Sequence, residues 1–158
     1  EIERLALLAG PGLVTVDTVA DAVANSARYH VFQLGEAALA GDAARTVRIL
    51  DGLVDEGEEP TLVLWCLAEE IRALLQWSPH PQRGAPARLS RGGRRRQALL
   101  GRAAQRLPRA RARELLLDAA RADAVIKGAE RGDAWAELLR LAVGIAGVRP
   151  VLAPARTY

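Results

Sequence analysis

The chain has 158 residues, of which 50% are hydrophobic, 26% are charged and only 4% are aromatic. This length fits about one domain with a core that needs no disulfide or metal, and the single cysteine, Cys66, excludes an intramolecular disulfide framework. The net charge of +3 hides a split, because residues 1–76 carry −8 and residues 77–158 carry +11. The split predicts either two faces with different partners or an acidic layer packed on a basic one.

Features of the sequence exclude three classes of protein: membrane-spanning, secreted and disordered. No apolar run approaches the length of a membrane span, no signal-peptide pattern is present, and the hydrophobic content is too high for a disordered chain. We therefore expect a cytoplasmic protein that does not bind a membrane. Methionine is absent even at position 1, so we also expect the chain to be a piece of a longer protein.

In chain order, the first half predicts helices throughout. Residues 1–8 fit the last turns of a helix, and a short second helix follows from Thr15. A third helix runs over 31–40, and Asp42 is predicted to cap the next one, which ends at Gly57. The buried stripe of that helix is predicted at helical spacing, as Ala43, Val47, Leu50 and Val54.

Pro60 suits the first turn of a long helix that reaches about Trp77. Its apolar stripe is predicted to contain Leu64, Leu67, Ile71, Leu74 and Leu75. The opening of this helix, 62–67, is apolar on nearly all sides, so we expect it to be deeply buried, with Trp65 in the core.

The second half begins with a change in composition. Residues 78–93 contain three Pro, three Gly and no acid, which predicts a long loop. A helix resumes near Arg94 and stops before Pro108, and another runs from about Arg109 to Lys127. Asp133 then caps a last helix, with Trp135 on its apolar side. The fold class is therefore all-α, a bundle of five to six helices.

The sequence offers no catalytic constellation. His30, His80 and Cys66 are far apart in sequence and show no metal-ligand spacing. No nucleophile motif or phosphate-binding loop is present. The carboxylate pairs Glu58-Glu59 and Glu69-Glu70 fit structural roles at a helix start and in a surface ion pair. We expect a non-catalytic chain that binds no cofactor and no metal.

The segment 83–113 contains 11 arginines and no acid, and it is the strongest candidate for a binding site. Clustered guanidinium groups replace the counterions of phosphates, so one interpretation is a face toward DNA or RNA, centred on Arg94, Arg95 and Arg96. The alternative is a solvated basic face, or a face docked on an acidic partner. No aromatic residue lies among these arginines, which argues against base stacking.

Three stretches of the sequence are informative through their order: the junction EIERLALLAGPGLVTVDTVADAVANSARYHVF, the stretch LGEAALAGDAARTVRILDGLVDEGEEPTLVLWCLAEEIRALLQ, and DAVIKGAERGDAWAELLRLA near the end. In this order they resemble the delta-subunit family of the bacterial DNA polymerase III clamp loader. The resemblance covers most of the chain, whereas residues 78–93 match poorly.

The resemblance implies a C-terminal fragment with two parts. Residues 1–29 would be the end of an AAA+-type lid domain, and 30–158 would be the helical collar domain, with 78–93 as a long loop. A collar assembles the clamp loader by contacts with neighbouring collars, here those of the delta-prime and gamma/tau subunits. The parent subunit would belong to the polymerase holoenzyme, a DNA-directed DNA polymerase and nucleotidyltransferase. Contact with the sliding clamp would require the N-terminal domain that is absent here.

Primer–template DNA would lie beneath such a collar, so DNA is a further candidate partner. We expect the turn from Lys127 to Gly132 to approach it, with Lys127 and Arg131 as candidate contacts, although Glu130 would oppose phosphate. The rival hypothesis is an independent basic helical domain that binds nucleic acid.

Overall fold

Six helices are found in the residues that the computed structural model describes, which are 30–77 and 93–148 without the side chains of 93 and 94. They are α1 over residues 30–40, α2 over Ala43–Asp55, α3 over Pro60–Gln76, α4 over Gly93–Arg106, α5 over Arg109–Ile126 and α6 over Ala134–Ile145. The described chain contains no strand, so the all-α prediction is confirmed. The predicted lid at 1–29, most of the loop at 78–93 and the end of the chain lie outside the described residues.

The helix starts follow the predicted capping residues. The Asp42 carboxylate accepts a hydrogen bond from the Arg45 backbone N–H at 2.9 Å, and Asp133 accepts from the N–H groups of Trp135 and Ala136. Pro60 occupies the first turn of α3, where its missing N–H costs nothing. The Asp42 and Asp133 carboxylates each satisfy backbone donors that the helix leaves unpaired. Each cap contributes about 1 kcal/mol to stability.

Helix α3 lies at the centre of the bundle. It packs against α4, α5 and α6, while α5 and α2 also pack on α6. The Cys66 thiol donates a hydrogen bond to the Val31 carbonyl at 3.2 Å, which joins α3 to α1. The largest fully buried apolar side chains come from all the helices except α4, and they are Leu34, Leu39, Leu53, Leu67, Ile71, Leu115, Leu138, Leu141, Ile145, Val31 and Val63.

Two predictions about helix faces are wrong. On α2 the buried residues are Thr46, Leu50 and Leu53, whereas Val54 is 41% exposed, so the stripe is rotated from the predicted one. On α3 the apolar opening is not buried on every side, because Trp65 is 47% exposed. In both cases the apolar pattern permits more than one face, and the neighbouring helices decide which face is covered.

None of the helices within the described ranges combines the length and the apolar character that crossing a bilayer requires.

Candidate interaction surfaces

The predicted contact arginines at the start of α4 lie beside acidic residues of α1 and α3. Arg96 Nη1 donates to Glu70 Oε1 at 2.8 Å, and Arg95 Nη2 lies 3.4 Å from Glu36 Oε2. The Arg95 side chain is 78% exposed, whereas that of Arg96 is 23% exposed. Arg96 therefore joins α4 to α3, and its role and that of Arg95 in binding nucleic acid stay predictions. The Arg94 side chain is outside the described part.

Glu70 is a buried carboxylate, whereas the sequence places only its neighbour Glu69 in a surface ion pair. Burial raises its pKa, against the opposing effect of the hydrogen bond from Arg96. Its second oxygen, Oε2, has no hydrogen-bond partner among the described residues. The available signal was its spacing: it follows Cys66 by four residues and Leu67 by three, which places it on the buried side of α3.

Cys66 lies next to this carboxylate. Burial, and then the charge of Glu70, raise the pKa of the thiol to about 12. A thiol with so high a pKa is protonated at neutral pH, and the thiolate is the form that attacks substrates or binds metals. Cys66 is therefore a buried structural thiol within the segment 62–67 that the sequence predicts to be buried.

Arg106 ties together the ends of three helices. It lies in the last turn of α4, and its Nη2 donates to the carbonyls of Ala38, Leu39 and Ile145 at 3.3, 3.0 and 3.3 Å. These carbonyls belong to the C-terminal turns of α1 and α6, where the helix dipoles carry partial negative charge. Burial lowers the pKa of Arg106. This arginine of the basic segment is thus a structural residue rather than a free surface charge.

Two glycines make room for that guanidinium group. Gly41 follows α1 with φ +81° and Gly147 follows α6 with φ +91°, a conformation that other residues adopt at a cost. A Cβ atom would lie 2.8 Å from Arg106 Nη1 at position 41 and 2.7 Å from Arg106 Cδ at position 147. Backbone conformation and space both require glycine at these positions.

Other arginines of the basic segment have partners too. Arg109 Nη2 donates to the Leu75 carbonyl at 2.8 Å at the end of α3. Arg111 Nη1 lies 2.9 Å from a carboxylate oxygen of Glu114 and 4.0 Å from one of Asp118. Much of the charge that the sequence concentrates here is therefore bound within the fold, which weakens the case for a continuous phosphate-binding face.

The turn after α5, from Lys127 to Gly132, is the predicted DNA contact. Two of its charged side chains, Lys127 and Glu130, lie near side chains of opposite charge. Lys127 Nζ lies 2.7 Å from Asp123 Oδ2, and Glu130 Oε2 lies 3.6 Å from Arg121 Nε. Arg131 is exposed. Contact of Lys127 and Arg131 with DNA stays a prediction.

An exposed aromatic pair lies on α1 and α3, and we call it the aromatic patch: Phe32 and Trp65. The rings meet edge to face with centroids 6.4 Å apart, and the residues are 38% and 47% exposed. One helical turn further along each helix are the ion-paired carboxylates Glu36 and Glu69. An apolar aromatic centre with a charged rim is the usual anatomy of a protein interface. The sequence reading missed this patch because it assigned Trp65 to the core.

A pocket of about 200 Å³ lies between the ends of α4, α5 and α6. Its lining includes Arg106, whose guanidinium group binds helix ends, and Arg111 and Glu114, which pair with each other. No group of three or more His, Cys, Asp or Glu side chains suited to a metal ion is found over 30–77 and 93–148. These three polar side chains of the pocket lining thus bind helix ends or each other.

Comparisons with known proteins bear on what those surfaces bind. No family model matches the chain, and no solved structure matches it significantly. The chain is 31% identical over 140 residues to the DNA polymerase III subunit delta of Escherichia coli strain K12. The aligned region covers 87% of this chain and 41% of that relative, so the chain spans about two fifths of the relative's length.

This similarity confirms the relationship that the motifs suggest. The chain is a homologue of the DNA polymerase III delta subunit, and the extent of the match fits a C-terminal part of such a protein. The similarity is to one subunit of DNA polymerase III. It does not carry polymerase or nucleotidyltransferase activity over to this chain.

Proposed function

We propose that this chain, as a homologue of the DNA polymerase III delta subunit, is a collar module that assembles the clamp loader by helix-on-helix contacts. The observation that carries the proposal is the 31% identity over 87% of the chain, which takes in most of the helical bundle. Its partners are the delta-prime and gamma/tau subunits. The sliding clamp is not proposed as a partner, because the resemblance assigns that contact to the family's N-terminal domain.

The aromatic patch is the proposed centre of one contact. Large aromatic side chains contribute most of the binding energy at many interfaces, and their burial removes a large apolar area from water. Phe32 and Trp65 lie on separate helices that the Cys66–Val31 hydrogen bond helps to hold together. The patch is therefore a preorganised surface, and binding orders few new groups.

Assembly is tested by mixing the chain with the delta-prime and gamma/tau subunits of the same organism, without ATP, on a sizing column. We expect one complex that contains the chain. Separate elution of folded components would contradict the proposed function.

A pair of variants tests the patch within that assembly. Trp65→Ala should weaken complex formation at least 10-fold, which corresponds to about 1.4 kcal/mol. Val54→Ala is the matched control, since Val54 on α2 is exposed to a similar extent, at 41% against 47%. Equal binding by the two variants would remove the patch from the interface while leaving the collar role in place.

The rival function, independent binding of nucleic acid, has weaker support. The arginines of the described part of 83–113 include Arg96 and Arg106, whose guanidinium groups bind Glu70 and backbone carbonyls. A titration of the chain with primed DNA at low salt tests the rival directly. Salt-dependent binding that disappears in the triple variant Arg94→Ala, Arg95→Ala, Arg96→Ala would favour it.

A further inference from the structure

The exposed side of α5 carries an unusual combination of charge and apolar surface. We define the α5 outer face by six residues that are all exposed: Arg109, Ala110, Arg113, Leu117, Ala120 and Arg121. At 100° per residue they fall within about a third of the helix circumference, and they extend over roughly 18 Å of its length. Leu117, at the middle of the face, is 72% exposed, the largest value among the exposed large hydrophobic residues of the described chain.

The acidic residues of α5 do not neutralise this face. Glu114 and Asp118 lie near Arg111, and Asp123 lies near Lys127. Among the ion pairs of the described ranges, none includes Arg109 or Arg113, and Arg121 has a partner at 3.6 Å in Glu130. Arg109 Nη2 donates to the Leu75 carbonyl, which does not cancel the charge of Arg109, so the outer face keeps positive charge around an apolar centre.

One of these arginines, Arg109, is also poorly placed for the stability of the helix itself, because it lies in the first turn of α5. The first turn of α5 contains no acid, and Pro108 at its N-cap provides no side-chain hydrogen bond. Cations near a helix N-terminus oppose the dipole, at a cost of about 0.3–1 kcal/mol each at the surface. The Leu75 carbonyl at the end of α3 offsets part of that repulsion, and an anionic surface placed over this face would offset more of it.

We propose that the α5 outer face docks onto an acidic helical surface of a neighbouring clamp-loader subunit, with Leu117 in the apolar centre of the contact and Arg109, Arg113 and Arg121 around it. This inference rests on the proposed function, because the neighbour is another subunit of the same assembly. Complementary charge gives the contact its specificity and speeds association.

A protein surface is favoured over nucleic acid because the centre of the face is apolar. An exposed leucine flanked by alanines gains from an apolar partner and gains nothing from a phosphate backbone. The face is also small: a stable two-protein contact buries about 800 Å² per partner, far more than one helix face of this length offers. Such a face suits an assembly in which several contacts share the affinity.

The test measures the affinity of the full chain for the delta-prime and gamma/tau subunits with three charge variants. Arg113→Glu and Leu117→Glu place negative charge on the face, and both should weaken assembly at least 10-fold. Arg48→Glu is the matched control for Arg113→Glu, since both change the net charge by the same amount; Arg48 lies at an exposed position of α2, and its replacement should change affinity less than twofold. Arg113→Lys should restore most of the affinity because it restores the charge.

Each outcome is decisive. The inference is supported if Arg113→Glu and Leu117→Glu lose assembly while Arg48→Glu keeps it. Circular dichroism spectra check that the variants fold. Unchanged assembly in these variants, or equal loss in Arg48→Glu, overturns it while the collar role stands. Failure of the unmodified chain to assemble overturns the collar role and this inference together. Binding to primed DNA that Arg113→Glu abolishes, with assembly unchanged, would make the face a nucleic-acid surface.

Discussion

Arg106 shows how one side chain can organise residues that are far apart in the sequence. Its acceptors lie 68, 67 and 39 positions away along the chain, at the ends of α1 and α6. A charged donor to buried carbonyls contributes about 1.5–3 kcal/mol per hydrogen bond, and its loss leaves those carbonyls unsatisfied. The packing of Arg106 against two glycines can be measured separately from the strain that a positive φ imposes.

We predict that Gly147→Ala costs about 1–3 kcal/mol more stability than Gly57→Ala. Both glycines have positive φ, so alanine suffers a similar backbone penalty at each. Only at position 147 would the new Cβ lie 2.7 Å from Arg106 Cδ, whereas nothing lies within 4 Å of it at position 57. Urea unfolding of both variants gives the difference.

The same pair in an Arg106→Ala background completes a double-mutant cycle. There the extra cost at position 147 should vanish, because the side chain that the Cβ meets is gone. A persistent difference between the two glycine variants would contradict the role given to Arg106.

Glu70 gives a prediction about pH. In the folded state the pKa of the Glu70 carboxyl is raised above its ordinary value of 4.5. The folded chain therefore holds the carboxyl proton more tightly than the unfolded chain does. As the pH rises above the ordinary value of about 4.5, the contribution of Glu70 to the free energy of unfolding decreases. The decrease ends when the carboxyl of the folded chain has also ionised. Glu70→Gln should therefore gain stability relative to the unmodified chain as pH rises through that window.

The measurement is urea unfolding at several pH values from 4 upward. Glu69→Gln is the control, because Glu69 is the neighbouring residue of α3 but is half exposed. If Glu70→Gln and the unmodified chain show parallel dependence on pH, the buried carboxyl does not titrate as described.

Little of this residue-scale detail could be predicted from the sequence. An arginine in a basic segment looks the same in a sequence whether it faces solvent or caps a distant helix. The acceptors of Arg106 are backbone carbonyls, which every residue carries, so no side-chain motif marks them. Glu70 was more accessible to prediction, because its position on the apolar side of α3 can be read from spacing alone.

At the scale of elements, α3 presents different environments at neighbouring positions. Leu67 is fully buried, whereas Trp65, two residues earlier, is 47% exposed. We predict that Leu67→Ala lowers the free energy of unfolding by about 2–5 kcal/mol, the usual cost of a large core truncation. Trp65→Ala should lower it by less than about 1 kcal/mol, because little packing is lost at a surface position.

Thermal or urea unfolding of the two variants checks this contrast. A larger loss for Trp65→Ala than for Leu67→Ala would mean that the aromatic patch belongs to the core. The same Trp65→Ala protein serves the assembly experiment, so its stability and its binding can be compared in one sample.

Helix positions were more predictable than helix faces. Asp42, Pro60 and Asp133 mark helix starts through local backbone chemistry, which needs no tertiary information, and all three lie where predicted. The buried face depends instead on which neighbours the helix meets. Val54 and Trp65 are apolar residues on apolar helices, and only the packing of the bundle shows that both remain exposed.

At the scale of the whole molecule, the charge split is partly internal. The pairs Arg96–Glu70 and Arg95–Glu36 each join a basic residue of the second half to an acidic residue of the first. This arrangement agrees with the alternative in which an acidic layer packs on a basic one. Positive charge that remains outside such pairs includes Arg109 and Arg113 on the α5 outer face, which is why that surface is proposed for a partner.

The family relationship was predictable because the order and spacing of several motifs survive where single residues change. The surfaces that would meet other subunits could not be predicted, because no local signal in the sequence distinguishes an exposed tryptophan at an interface from a buried one. Length, composition and motif order thus gave the fold class and the relative, and packing gave the candidate contacts.

The unit formed by Gly41, Arg106 and Gly147 has a consequence for how such chains diverge. A larger residue at either glycine would displace the arginine, and loss of the arginine would remove the spatial reason for both glycines. Intermediates that change only one of the three therefore pass through a less stable protein. Across related chains, a residue other than glycine at position 41 or 147 should therefore occur together with a residue other than arginine at position 106, although the three positions belong to the ends of three different helices.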